Sequence, residues 1–97
     1  MGFQGFEVIQ SNPGEISLEI AQLKGDRDFA DTLKTRFSAI NGIKQVEPDH
    51  VRGEVMILYD KQKLTSFSSL LGLKEAFSTL FPEVDTFGLA TWLSRYL

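Results

Sequence analysis

Residues 40–60 read INGIKQVEPDHVRGEVMILYD, and the fold turns on how this stretch is divided. Asn41-Gly42 marks the exit from a helix, because Gly42 is free to take the left-handed conformation that closes a last turn. Ile43 to Pro48 then reads as a strand. Pro48 belongs near its end or on a sheet edge, since proline cannot donate to a ladder. Residues 49–53 turn, with Gly53 able to supply a positive φ. Glu54 to Tyr59 forms a second strand, rich in strand-preferring residues. Asp60-Lys61-Gln62-Lys63 is read as a polar connection.

Working back toward the N-terminus, Phe29, Ala30, Leu33, Phe37 and Ile40 recur at helical spacing and form one apolar stripe. Asp26 is the expected N-cap, its carboxylate accepting from a free N–H of the first turn. Asp28 adds negative charge where the helix dipole favours it. Before the helix, EISLEI (15–20) alternates: Ile16, Leu18 and Ile20 point one way, Ser17 and Glu19 the other. FEVIQ (6–10) also alternates, and SNPG (11–14) punctuates the two runs. Either one bent strand or a hairpin satisfies this pattern.

Working forward, a second helix starts near Thr65 or Ser66. Phe67, Leu70, Leu71, Lys74, Phe77, Leu80 and Phe81 sketch its face, widened by Leu73, and Pro82 stops it. The tail, 85–97, reads as a short strand or an amphipathic C-terminal helix. Leu89, Trp92, Leu93, Tyr96 and Leu97 sit at i, i+3, i+4, i+7 and i+8. The order is β(β)-α-β-β-α, then a short strand or a helix. This is the split βαβ pattern of an α+β, ferredoxin-like sandwich, with two helices on one face of an antiparallel sheet.

The 97 residues, 42% of them hydrophobic, suit one domain spanning 1–97 with a single core. No cysteine is present, which excludes disulfides, thiolate metal sites and cysteine nucleophiles. The net charge is -3 and the cations are scattered, so no basic face for nucleic acid is expected. No run approaches the roughly 20 apolar residues of a membrane span. The first ten residues lack the basic start and apolar core of a signal peptide, and Phe6 stands where a myristoylation motif wants Ser or Thr. A cytoplasmic protein is expected.

The run PGEISLEIAQLKGD…FADTLKTRFSAINGIKQVEPDHVRGEVMILYD (13–60) resembles the heavy-metal-associated domains of copper chaperones and metal-transporting ATPases. The similar elements are Pro13-Gly14 before a strand, a helix closing on Gly42, Ile43 and Val46, and Gly53 before a strand ending in Tyr59-Asp60. The resemblance implies a loop between the first strand and first helix that, in metal-binding members, carries a Met and a C-x-x-C pair. Here that loop is AQLKGDRDFA (21–30), without Cys, His or Met. The chain therefore resembles the branch that lacks the thiolate ligands, and no functional residue carries over. Soft thiolates are what select copper(I).

Other candidates have plainer readings. Asp26, Asp28 and Asp31 could hold a hard cation, but a calcium loop needs ~6–8 oxygens at a recognisable spacing. Lys24, Gly25 and Arg27 could cradle an anion, against the opposing charge of the neighbouring Asp residues. His50 beside Asp49 resembles half of an acid–base pair with no nucleophile assigned to it. Glu47, Asp49 and Glu54 near the same hairpin read as solvated charge, and TSFSS (65–69) as a capped helix start. With no convergent acid, base and nucleophile, the chain is not expected to be an enzyme, and no cofactor is expected.

The expected function is a non-catalytic interaction or regulatory module that has lost metal binding. A protein partner or self-association, as a homodimer or higher, would use Leu89, Trp92, Leu93, Tyr96 and Leu97, since aromatics are favoured anchors. Two alternatives are a sensor of a small ligand, an amino acid or an anion, at a dimer interface, and a metal-handling accessory protein with oxygen or histidine ligands. The tail stripe needs a receiving surface, either another subunit or the open sheet face with Ser17, Glu19, Glu54, Met56 and Leu58.

Overall fold

A computed structural model describes residues 5–64 and 67–82, together with Gly88, Thr91 and Arg95. The elements are β1 (Phe6–Asn12), β2 (Glu15–Ile20), a 3-10 turn (Ala21–Leu23), α1 (Arg27–Ser38), β3 (Ile43–Asp49), β4 (Glu54–Tyr59), α2 (Lys61–Leu64) and α3 (Phe67–Leu80). The strands form one antiparallel sheet in the order β1-β2-β4-β3.

The first two runs are a hairpin. β1 continues through Asn12, so only Pro13 and Gly14 make the turn. Gly14 lies at φ +81, and Pro followed by a positive-φ Gly is the residue order of a type II turn. This hairpin settles the topology. In a βαββαβ chain the last strand lies beside the first; here β1, from the N-terminal side, lines that edge of β2. The register of β1 against β2 shifts between Val8 and Gln10, which puts a bulge into this edge strand.

Alternation along the central strands sorts the side chains. Ile16, Leu18 and Ile20 of β2 and Val55, Ile57 and Tyr59 of β4 are buried with Val46 of β3 and Phe6 of β1. They pack with Ala30, Leu33 and Phe37 of α1, with Leu64 of α2, and with Leu73, Ala76, Phe77 and Leu80 of α3. All described helices thus share one face. An edge-on ring ladder ties β1 and the end of α3 to α1. Phe37 meets Phe77 at 5.3 Å, and Phe81 meets Phe29 at 5.4 Å and Phe6 at 4.8 Å. Such pairs add about 0.5–1.5 kcal/mol each beyond their area.

Two readings of the sequence need correction. The polar connection after β4 is a helical turn, α2. Asp60 Oδ1 accepts from the backbone N–H groups of Gln62 and Lys63, at 3.0 and 3.3 Å, and Leu64 drops into the core. The buried face of α3 departs from the expected one at two positions, Leu71 and Lys74, and gains Ala76. Leu73, Ala76, Phe77, Leu80 and Phe81 face inward, whereas Leu71 is 44% exposed and Lys74 is exposed. Gly72 lies against Ile40, whose nearest side-chain carbon stands 3.5 Å from where a Cβ would be, so α3 passes the residue that follows the α1 cap at a small residue of its own.

Candidate functional site

The strand-to-helix loop is the first place to look, and the chain uses it for itself. Leu23 in the 3-10 turn is fully buried. Lys24 and Gly25 turn the chain, Gly25 at φ +78, and the Gly25 N–H donates to the His50 carbonyl at 2.6 Å. Asp26 caps α1 as expected: its Oδ1 accepts from the Phe29 N–H at 2.9 Å. Gly53, at φ +75, closes the site from below. A Cβ there would lie 2.9 Å from the Lys24 Cβ and 3.3 Å from the Ile20 carbonyl oxygen. The loop and the β3–β4 turn are therefore packed backbone to backbone.

The donor set of this loop does not fit a soft metal ion. Its side chains offer no sulfur and no imidazole, and those that face inward, Leu23, Phe29 and Ala30, are apolar. Asp28 and Asp31 are exposed on α1, and the carbonyls of both accept from hydroxyls a turn later, of Thr32 at 3.1 Å and Thr35 at 3.0 Å. Among the described residues no three His, Cys, Asp or Glu side chains converge in a way that could hold a metal.

His50 and Asp49 are not paired either. Asp49 Oδ1 accepts from the N–H groups of Val51 and Arg52, at 3.1 and 3.2 Å, and Oδ2 lies 3.9 Å from Arg52 Nε. Asp49 thus holds the turn that Gly53 completes. A surface ion pair of this kind contributes little, about 0–1 kcal/mol.

The more distinctive surface is the face of the sheet opposite the helices. Ser17, Glu54, Met56 and Leu58 are half-buried there and Glu19 is exposed, as the alternation requires. The register adds what alternation alone does not. Glu7 pairs with Glu19, Glu19 with Glu54, and Glu54 with Asp49, so four carboxylates line up across all four strands. The next row is Gln10, Ser17, Met56 and Glu47, and the third is Asn12, Glu15, Leu58 and Gln45. Six of these positions are acidic, two are apolar and none is Lys or Arg. Only the bulge residue Lys44 brings a cation into the strands.

Sequence reasoning identified Ser17, Glu19, Glu54, Met56 and Leu58 on this face, read Asp49 as part of the turn, and missed Glu7, Glu15 and Glu47. Parity was the available signal for those three. The alignment into one row needed the β1–β2 register and its bulge. The tail residues Leu89, Trp92, Leu93, Tyr96 and Leu97 lie outside the described residues. Among the described residues, no helix is long and apolar enough to cross a membrane.

Comparison with protein families finds the model described as heavy metal associated domain 2, matched over residues 2–74. No curated protein and no solved structure matches the chain.

Proposed function

We propose, from the premise that the chain belongs to the heavy metal associated domain 2 family, that it is a member without a soft-metal site, acting through protein contacts. Domains of this family are generally non-catalytic metal-binding modules. The observation that carries the reading is the strand-to-helix loop. In the metal-binding relatives this loop presents thiolates; here the chain has no cysteine, Leu23 fills the loop, and Asp26 is committed to the helix start. With its ligands replaced by structural residues, the domain keeps the fold and gives up the cargo. It works as an adaptor or regulatory domain in the cytoplasm, with 1–97 as one unit.

The contact residues are Leu89, Trp92, Leu93, Tyr96 and Leu97 of the tail, and the partner is a second copy of this chain. Two features support this choice. Full burial of each such side chain contributes on the order of 1.5–3 kcal/mol, so the stripe needs a receiving surface. The open sheet face receives it poorly, since half of its paired positions are carboxylates. Light scattering on the full chain, on Trp92→Ala/Tyr96→Ala and on a chain ending before Thr86 tests the reading. The expected result is a shift from a dimer or higher oligomer to monomer in both variants. A full-length monomer at high concentration, with the tail protected from hydrogen exchange, would instead make the tail a lid on its own domain.

A further inference from the structure

The open face of the sheet carries a charge pattern that folding does not explain. Residues directly opposite one another in an antiparallel pair have Cβ atoms about 4.5–5.5 Å apart, and like charges at that distance destabilise the sheet. Glu19 has such a neighbour on both sides, Glu7 and Glu54. Asp49 and Glu47 have local partners in the Val51 and Arg52 N–H groups and in Gln45. Among the described residues, Glu7, Glu15, Glu19 and Glu54 have none. The row crosses three strand gaps, roughly 14 Å at the usual spacing. Beside it lie Met56 and Leu58, half-buried in the central strand β4. No described element packs on this face.

We infer that this face is a docking surface for a cationic segment of another protein, its Lys or Arg side chains set against the Glu7–Glu19–Glu54–Asp49 row and its apolar side chains against Met56 and Leu58. Charge complementarity selects that occupant. The tail of this chain offers one cation, Arg95, against Asp85 in 85–97, so it cannot neutralise six carboxylates. A cationic segment would remove the repulsion that Glu19 experiences in the isolated sheet, so the row gains from binding what it costs in folding. This rests on the reading of the domain as an interaction module and names the chemistry of one partner.

The probe is a decapeptide of alternating Lys and Val, titrated into the isotope-labelled full chain and followed by amide shifts, with alternating Ser and Val as the neutral control. The expected result is saturable binding of the Lys peptide alone. The shifts should centre on Glu7, Ser17, Glu19, Glu54 and Met56. Affinity should fall roughly tenfold or more as ionic strength rises from about 0.02 to about 0.3 M. Glu19→Gln/Glu54→Gln should abolish saturation while its melting temperature stays at or above that of the parent chain. Shifts spread equally over Asp26, Asp28 and Asp31 would overturn the inference, because any exposed carboxylate would then serve. So would contacts between Trp92 and Met56 in the free chain, which would assign the face to the tail. Failure here leaves the oligomer shift of the tail variants untouched, so the two readings fail separately.

Discussion

Ile57 and Met56 are neighbours in β4, yet Ile57 is buried under the helices and Met56 is half-buried on the opposite face. The same contrast runs through β2, where Leu18 is buried and Glu19 is exposed between two carboxylates. On the helix side, each residue is accounted for by the core it fills. On the other side, the commonest residue type is the one that weakens the sheet. The difference separates what the fold requires from what it tolerates, and the docking proposal rests on the tolerated face.

Three substitutions sharpen or break this comparison. Ile57→Ala should cost about 2–5 kcal/mol of unfolding free energy, the range for emptying a packed site, while Met56→Ala should cost only a fraction of that. Denaturant unfolding measures both. Equal losses would mean that the open face is covered as tightly as the core. Asp26→Ala comes next, at about 0.5–2 kcal/mol, with Asp26→Asn near the parent chain, because either side chain can accept from the Phe29 N–H. Equally small effects for both would detach the loop from the start of α1. The smallest effect has the opposite sign. Glu19→Gln should stabilise the chain by about 0.2–1 kcal/mol, and more at low salt than at high salt. A loss of stability in thermal melts at both salt concentrations would show that the Glu19 carboxylate has a favourable partner.

Most of the sheet and α1 were legible in the residues, because period-2 and helical stripes report burial directly. The Asp26 cap was legible for the same kind of reason: an Asp before a stripe has one good use. The errors came where local pattern underdetermines packing. Asp60 starts a helix too short to show a period, so α2 read as a loop. On α3 a run of apolar residues fits more than one face; the chain hides Ala76 with Leu73 and leaves Leu71 exposed, with Gly72 lying close against Ile40. Pro13-Gly14 allowed a bend or a hairpin, and only pairing across the sheet decided it. The carboxylate row was the least legible feature. Its members are up to 47 residues apart in sequence, and one bulge sets whether Glu7 meets Glu19.

Calorimetric titration of the full chain with copper(I) and with zinc(II) at neutral pH tests most directly the claim that the family's metal loop has become a purely structural one. The loop offers neither thiolate nor imidazole, and these are the donors that such ions select. The predicted result is no saturable heat in the low micromolar range for either ion. A stoichiometric site would contradict the account, and its loss on His50→Ala would locate that site at the turn packed against the loop.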